Sequence, residues 1–162
     1  MRVLVFCLGN ICRSPLAEGA LRTRIAASPL AGLVEVDSAG TGGWHAGDPP
    51  DRRAIACARR HGVDIGAQRA RQLRAADFDD YDLLLCADAA NLRDARQLVR
   101  PEQAGKLALL LEWAGLGQGR EIPDPYHGGE DHFEEVWRLV DAAAQAVVAR
   151  LVRERTSGII GR

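Results

Sequence analysis

The stretch Arg2-Val3-Leu4-Val5-Phe6-Cys7-Leu8-Gly9-Asn10-Ile11-Cys12-Arg13-Ser14-Pro15-Leu16-Ala17-Glu18 joins three kinds of local structure with no linker between them. Val3 to Phe6 are β-branched, aliphatic or aromatic without polar alternation, the composition of a strand buried on both faces of a parallel sheet. A turn containing Gly9 and Asn10 follows Cys7 and reaches Arg13. Ser14 is a candidate N-cap with Pro15 at the first helical position, so a helix is expected from there to about Ala27. A strand, a short loop and a helix N-terminus in succession frame an anion site, because N–H groups and the helix dipole converge on one point. Cys7 and Arg13 then face one small cavity.

Outward from this unit, strands and helices alternate. Leu33–Asp37 reads as a second strand, followed by the glycine-rich segment Ser38–Pro50, expected to be a surface loop. Asp51 caps a helix through Arg60 that stops near Gly62. Residues 64–80 are charged and lack an apolar stripe, which predicts a loop with a short helix near Ala75–Phe78. Tyr81–Ala87 is a third strand, Ala89–Val99 a third helix and Leu107–Leu111 a fourth strand. A second glycine-rich loop spans Gly115–Gly129 and holds Ile122-Pro123-Asp124-Pro125-Tyr126-His127. The last helix, about Asp131–Arg155, carries Phe133, Val136, Trp137, Val140, Ala144, Val147 and Leu151 on one stripe. The tail 156–162 has two glycines and is expected to fray.

This order predicts an α/β fold of three layers, a four-stranded parallel sheet between helices, as one domain over 1–162. Ligands of such sheets bind beyond the carboxyl ends of the strands. Cys7–Arg13, the 38–50 loop, Asp88 and the 115–129 loop all fall at that edge.

Composition narrows the function classes. The chain is 47% apolar and 27% charged, with a formal charge of −1, so no global basic field recommends nucleic acid. Positive charge is almost all arginine, Lys106 being the sole lysine. There is no apolar run near the length of a membrane span, and no charged-then-apolar leader at Met1. The four cysteines, 7, 12, 57 and 86, make no zinc-type pair of CxxC motifs, and a reducing cytoplasm is the expected compartment.

The chemistry follows from charge. A cysteine beside an arginine and a helix N-terminus is favoured as the nucleophilic thiolate. The fork of Arg13 can grip two oxygens of a tetrahedral phosphoryl group. Ser14 can donate to the Cys7 sulfur, and Asn10 can hold the turn through its amide. Asp124, between two prolines, offers a carboxyl group for proton transfer. Each has a plainer reading: a core cysteine, a surface arginine, an Asp-Pro turn.

Cys7-Leu-Gly-Asn-Ile-Cys-Arg-Ser-Pro-Leu-Ala-Glu18 resembles the signature of the low-molecular-weight protein tyrosine phosphatases. The similarity continues through Ser38-Ala-Gly-Thr41, Trp44-His45, Asp51-Arg-Arg-Ala54, His61-Gly62, Arg69-Ala-Arg-Gln72, Asn91-Leu92 and Asp124-Pro-Tyr126. The resemblance implies Cys7 as nucleophile, Arg13 as transition-state clamp and Asp124 as general acid, then base. It implies that Leu8, Gly9, Asn10, Ile11, Cys12, Arg13 and Ser14 bind phosphate, with Ser38 bonded to Asn10 in support. Trp44 and Tyr126 would flank a phosphotyrosine ring, with His127 where many relatives carry another aromatic residue. Gln68 stands where a histidine is often seen. No metal or cofactor is expected.

The expected partner is a phosphotyrosyl protein, such as a bacterial tyrosine kinase or its substrate, and the expected state is a monomer or weak dimer. Cys12 is a candidate redox partner of Cys7. Two rival activities share features of this pattern. Phosphoarginine phosphatases look similar but typically carry threonine at the position of Ile11. Thiol-dependent arsenate reductases place an exchanging cysteine near Cys86, but their second resolving cysteine has no counterpart in 88–99.

Overall fold

The structure is a computed structural model that describes residues 1–159. Four parallel strands, β1 (Arg2–Cys7), β2 (Glu35–Gly40), β3 (Leu83–Cys86) and β4 (Leu107–Leu109), form one sheet in the order β2-β1-β3-β4. β1 is therefore central, with Val3 opposite both Val36 and Leu83. Its pleat sends Val3, Val5 and Cys7 into one core cluster and Leu4 and Phe6 into another. That two-sided burial is why the strand is continuously apolar. Each large apolar side chain buried there contributes about 1.5–3 kcal/mol.

The helices are α1 (Arg13–Ala26), α2 (Arg52–Arg60), α3 (Asp77–Asp80), α4 (Ala89–Ala95), α5 (Leu110–Trp113) and α6 (Glu130–Thr156). A 3-10 helix, Pro101–Lys106, leads into β4. Residues of α1, α2, α5 and α6 fill the larger core cluster, whereas Phe78 of α3 and Ala95 of α4 join the smaller one. All seven stripe residues of α6 are buried. Arg24 on α1 grips Asp141 on α6 with two hydrogen bonds of 2.9 and 3.0 Å.

Several boundaries differ from expectation. Ser14 is not the cap of α1: Cys12 takes that position without a side-chain bond, and Ser14 lies inside the first turn. Its hydroxyl is engaged with Cys7, Asn10 and the Ala39 carbonyl instead. Strand β2 continues through Ser38-Ala39-Gly40, which glycine content had assigned to a loop, because six consecutive residues pair with β1. At the sheet edge the apolar run 107–111 leaves the strand after Leu109 and turns into α5; an apolar run alone does not distinguish strand from buried helix. α4 ends at Ala95 and continues as turns to Val99.

At the chain end, α6 reaches Thr156 and closes with Gly158 at φ +75°. The Ile159 N–H bonds to the Glu154 carbonyl, and the Gly158 N–H to that of Arg155. This is a Schellman closure. The expected fraying thus meets a bonded turn through Ile159, and residues 160–162 lie outside the described range.

Candidate active site

β1 ends at Cys7 and α1 begins at Arg13, so residues 8–12 form the loop between a central strand and a helix N-terminus. Asn10 makes that loop possible. It is the one non-glycine residue among those described with positive φ, +57°, a conformation that asparagine tolerates better than most side chains. Its amide donates to Ser14 Oγ at 2.8 Å and Ser38 Oγ at 3.0 Å, while its Oδ1 accepts from the Arg71 N–H at 3.0 Å. Three separate segments are tied to one turn. From the other side, the Asp51 N–H holds the Ile11 carbonyl at 2.8 Å.

Ser14 Oγ lies 3.1 Å from Cys7 Sγ, a distance at which either group can donate to the other. Arg13 is nearly sealed, 3% exposed. One guanidinium nitrogen, Nη1, donates to Asp88 Oδ2 at 2.6 Å and to the Ile122 carbonyl at 3.0 Å. Nη2 lies 3.7 Å from Asp124 Oδ2. Burial opposes the Arg13 charge, but the Cys7 sulfur, the Asp88 bond and Asp124 together raise its pKa above the usual arginine value. The guanidinium is fixed and stays charged.

Ten of the residues expected at the site line a single cavity of about 260 Å³. Cys7, Leu8, Gly9, Ile11, Cys12 and Arg13 make its floor; Trp44, Asp124, Tyr126 and His127 stand at its walls. Asn10, Ser14 and Ser38 sit behind the floor, each buried. Trp44 is 72% exposed. His127 meets Tyr126 edge-on, with ring centroids 5.1 Å apart. Asp124 Oδ1 accepts from the Tyr126 N–H at 3.1 Å, so the Asp-Pro turn and a carboxyl group at the mouth are the same feature.

The other cysteines are poor nucleophiles. Burial, then Asp51 and Cys7, raise the Cys12 thiol far above its ordinary value. Burial, then Asp88, push Cys86 up to about 12, and its sulfur is sealed against the Ala108 carbonyl at 3.5 Å. Burial also pushes Glu18, on the buried face of α1, up to about 7, against the pull of Arg22 and Ser38 and with Asp37 adding to the rise.

Several contributors carried no role in the sequence reading. Asp88 fixes Arg13 while also capping α4 through the Asn91 N–H at 2.8 Å; its Asp-x-x-Asn box after a strand was the readable signal. Arg53 donates to the Gly128 carbonyl at 3.0 Å and places its guanidinium 5.6 Å from the Tyr126 ring, bracing the Asp124 loop from α2. His45 lines the cavity and packs close to Gly9. Gln68, at the position of the missing histidine, donates to the Pro15 carbonyl at 3.1 Å.

The family model described as low molecular weight phosphotyrosine protein phosphatase matches residues 2–157. A low molecular weight protein-tyrosine-phosphatase of Streptomyces coelicolor is 44% identical over 160 residues, covering 97% of this chain and 96% of that one. A human low molecular weight phosphotyrosine protein phosphatase is 38% identical, covering 84% and 86%. Among solved structures, YfkJ from Bacillus subtilis superposes with a TM-score of 0.88 at 36% identity, covering 95% and 96%. Vibrio vulnificus Wzb in complex with benzylphosphonate superposes at 0.80 with 34% identity, covering 92% and 97%.

Proposed function

The chain belongs to the low molecular weight phosphotyrosine protein phosphatase family, a family of hydrolases, and from that premise we propose that it hydrolyses protein phosphotyrosine through a cysteinyl-phosphate on Cys7. The observation that carries this reading is the convergence, in one cavity, of the Cys7 sulfur, a guanidinium locked by Asp88 and the Asp124 carboxyl group. Cys7 attacks phosphorus in line; the S–P bond forms as the P–O bond to tyrosine breaks. Asp124 gives its proton to the departing phenolate oxygen. Asp124 then takes a proton from water as that water attacks phosphorus, the S–P bond breaks, and Cys7 leaves as a thiolate steadied by Ser14. Arg13 and the backbone N–H groups of residues 8–13 bind the phosphoryl oxygens throughout, gripping hardest as charge shifts in the transition state.

The walls favour an aryl phosphate. Trp44 and Tyr126 offer aromatic faces above a recessed phosphate site, which suits a ring of tyrosine length better than the short phosphoserine. The buried Cys86 disfavours the thiol exchange of arsenate reduction. The substrate is a phosphotyrosyl protein, such as a bacterial tyrosine kinase or its target, met in the cytoplasm, where reducing conditions keep Cys7 and Cys12 free of a disulfide.

Matched phosphotyrosine, phosphoserine and phosphoarginine peptides, assayed with chelator and reductant, test the reading. Phosphotyrosine turnover is expected to dominate, to vanish in Cys7→Ser, and to leave phosphate on Cys7 in acid-quenched protein. Preferred phosphoarginine turnover, or activity surviving in Cys7→Ser, would overturn it.

A further inference from the structure

Away from the cleft, α2 and α6 bring together three side chains that the proposed reaction does not use. Cys57 and His61 are four positions apart, on the last turn of α2 and at its C-cap, so both side chains lie on one face. Glu134 of α6 meets them there. His61 Nε2 lies 2.6 Å from Glu134 Oε2, Cys57 Sγ lies 3.6 Å from Glu134 Oε1, and all three donor atoms fall within 4.8 Å of one another. We propose that Cys57, His61 and Glu134 form a binding site for a divalent transition-metal ion, zinc by donor type, which clamps α2 to α6.

Geometry admits a metal in place of the present ion pair. Zinc bonds of about 2.0–2.3 Å in a tetrahedron separate their ligand atoms by about 3.3–3.7 Å, so shifts of roughly an ångström complete the first three positions. The fourth faces outward, since His61 and Glu134 are both about one-third exposed, 38% and 35% by side chain. The imidazole is already oriented: its ring stacks on Trp137, one turn beyond Glu134, with centroids 5.1 Å apart and planes 14° from parallel. A sulfur, nitrogen and carboxylate set selects zinc or cobalt over magnesium and calcium, which prefer all-oxygen shells.

One competitor occupies the edge of the site. Arg60 bonds to Glu134 at 2.8 Å, but Glu130 lies 3.6 Å from the same guanidinium and can receive it when Glu134 turns to the metal. Binding involves no redox change. The Cys57 thiol proton passes to solvent as the S–metal bond forms, and the His61 Nε2 proton leaves the hydrogen bond to Glu134 through solvent, so that a neutral ring protonated at Nδ1 offers Nε2 and the carboxylate offers an oxygen to the metal. The site is independent of the catalytic reading, and its metal takes no part in phosphoryl transfer.

The test is titration of Co²⁺ into the full-length Cys7→Ser protein, which removes one of the two cleft thiols and leaves the Cys57→Ser comparison to separate Cys57 from the other, Cys12. One equivalent should bind with a sulfur-to-cobalt charge-transfer band and the intense visible bands of a tetrahedral site, both erased by Zn²⁺. In the same background, Cys57→Ser should lose the charge-transfer band and His61→Ala, a partly exposed change, should weaken binding at least tenfold. Zn²⁺ should raise the Tm of the Cys7→Ser protein by several degrees and that of His61→Ala far less. No band in the Cys7→Ser protein, a band that survives Cys57→Ser, or an undiminished affinity in His61→Ala would overturn the assignment; should Cys57→Ser fail to fold, the affinity of His61→Ala decides.

Discussion

Asn10 carries more of the site than its place between a glycine and an isoleucine suggests. Its backbone is left-handed and its amide serves Ser14, Ser38 and Arg71 at once. Asn10→Ala both strains that backbone by about 1–2 kcal/mol and removes all three bonds. Asn10→Gly removes the bonds alone. Both should lower kcat/KM, by roughly tenfold or more since each lost buried bond is worth about 1 kcal/mol, with the alanine variant also losing thermal stability; equal melting of the two would deny the strain. Asp124→Asn tests a different link. An amide cannot protonate the leaving oxygen, so kcat on phosphotyrosine should fall by about 10²–10⁴, and much less on an aryl phosphate with an acidic phenol. A uniform loss across leaving groups would assign Asp124 a structural role. At this scale the Cys7–Ser14 segment could be read from its own residues because its parts adjoin, whereas Ser38, Trp44 and Tyr126 were reached through the family resemblance. Asp88 contacts Arg13 from 75 positions away, and Arg53 reaches Gly128 across another 75, distances over which a single sequence carries no pairing signal.

Between elements, the end of β2 decides how the phosphate loop sits. A Cβ on Gly40 would lie 2.8 Å from the Leu8 carbonyl oxygen and 3.0 Å from the Asn10 nitrogen, both backbone atoms that cannot swing aside. Gly40→Ala should therefore push β2 and the loop apart, lowering stability by about 1–3 kcal/mol and kcat along with it. Two residues on, the three atoms nearest a Cβ at Gly42 all belong to the ring of Trp44, an exposed side chain rather than backbone. Gly42→Ala should raise KM for phosphotyrosyl peptides while leaving the melting temperature and kcat nearly unchanged. If both variants behave alike, the separation between loop support and substrate wall is wrong. The alternation of strands and helices, and the stripe of α6, follow from long periodic runs. The glycine-rich 38–50 segment reads as loop from its first residue, yet its first three residues are strand, because a close approach between backbones uses the same small residues that a loop does.

Across the whole molecule, the sheet order puts the ends of β1, β2 and β3 beside one another, and that placement was predictable from topology. A consequence that was not predictable is the charge buried underneath it. Glu18 lies almost wholly inside the protein, 2% exposed, and burial raises it to about 7 despite Arg22 at 3.1 Å and the Ser38 hydroxyl; Asp37, its acidic neighbour on β2, pushes the same way as burial. An unfolded glutamate titrates near 4.5. Between pH 4.5 and 7 the folded chain thus holds a proton that the unfolded chain has lost, so unfolding free energy rises as pH falls through that window and levels off below it. The full gain is at most about 3 kcal/mol, the shift converted at 1.36 kcal/mol per unit. Carboxylates held low by their partners, Asp51 by Arg53 and Glu134 by His61 and then Arg60, oppose this only as pH falls below their unfolded values, near 4. Denaturant midpoints should accordingly be higher at pH 5 than at pH 8 for the unsubstituted protein, and Glu18→Gln, which cannot ionise, should flatten that slope whatever its absolute stability. A slope unchanged by Glu18→Gln would mean that some other group titrates in the window and that Glu18 is ionised inside the fold, held by Arg22.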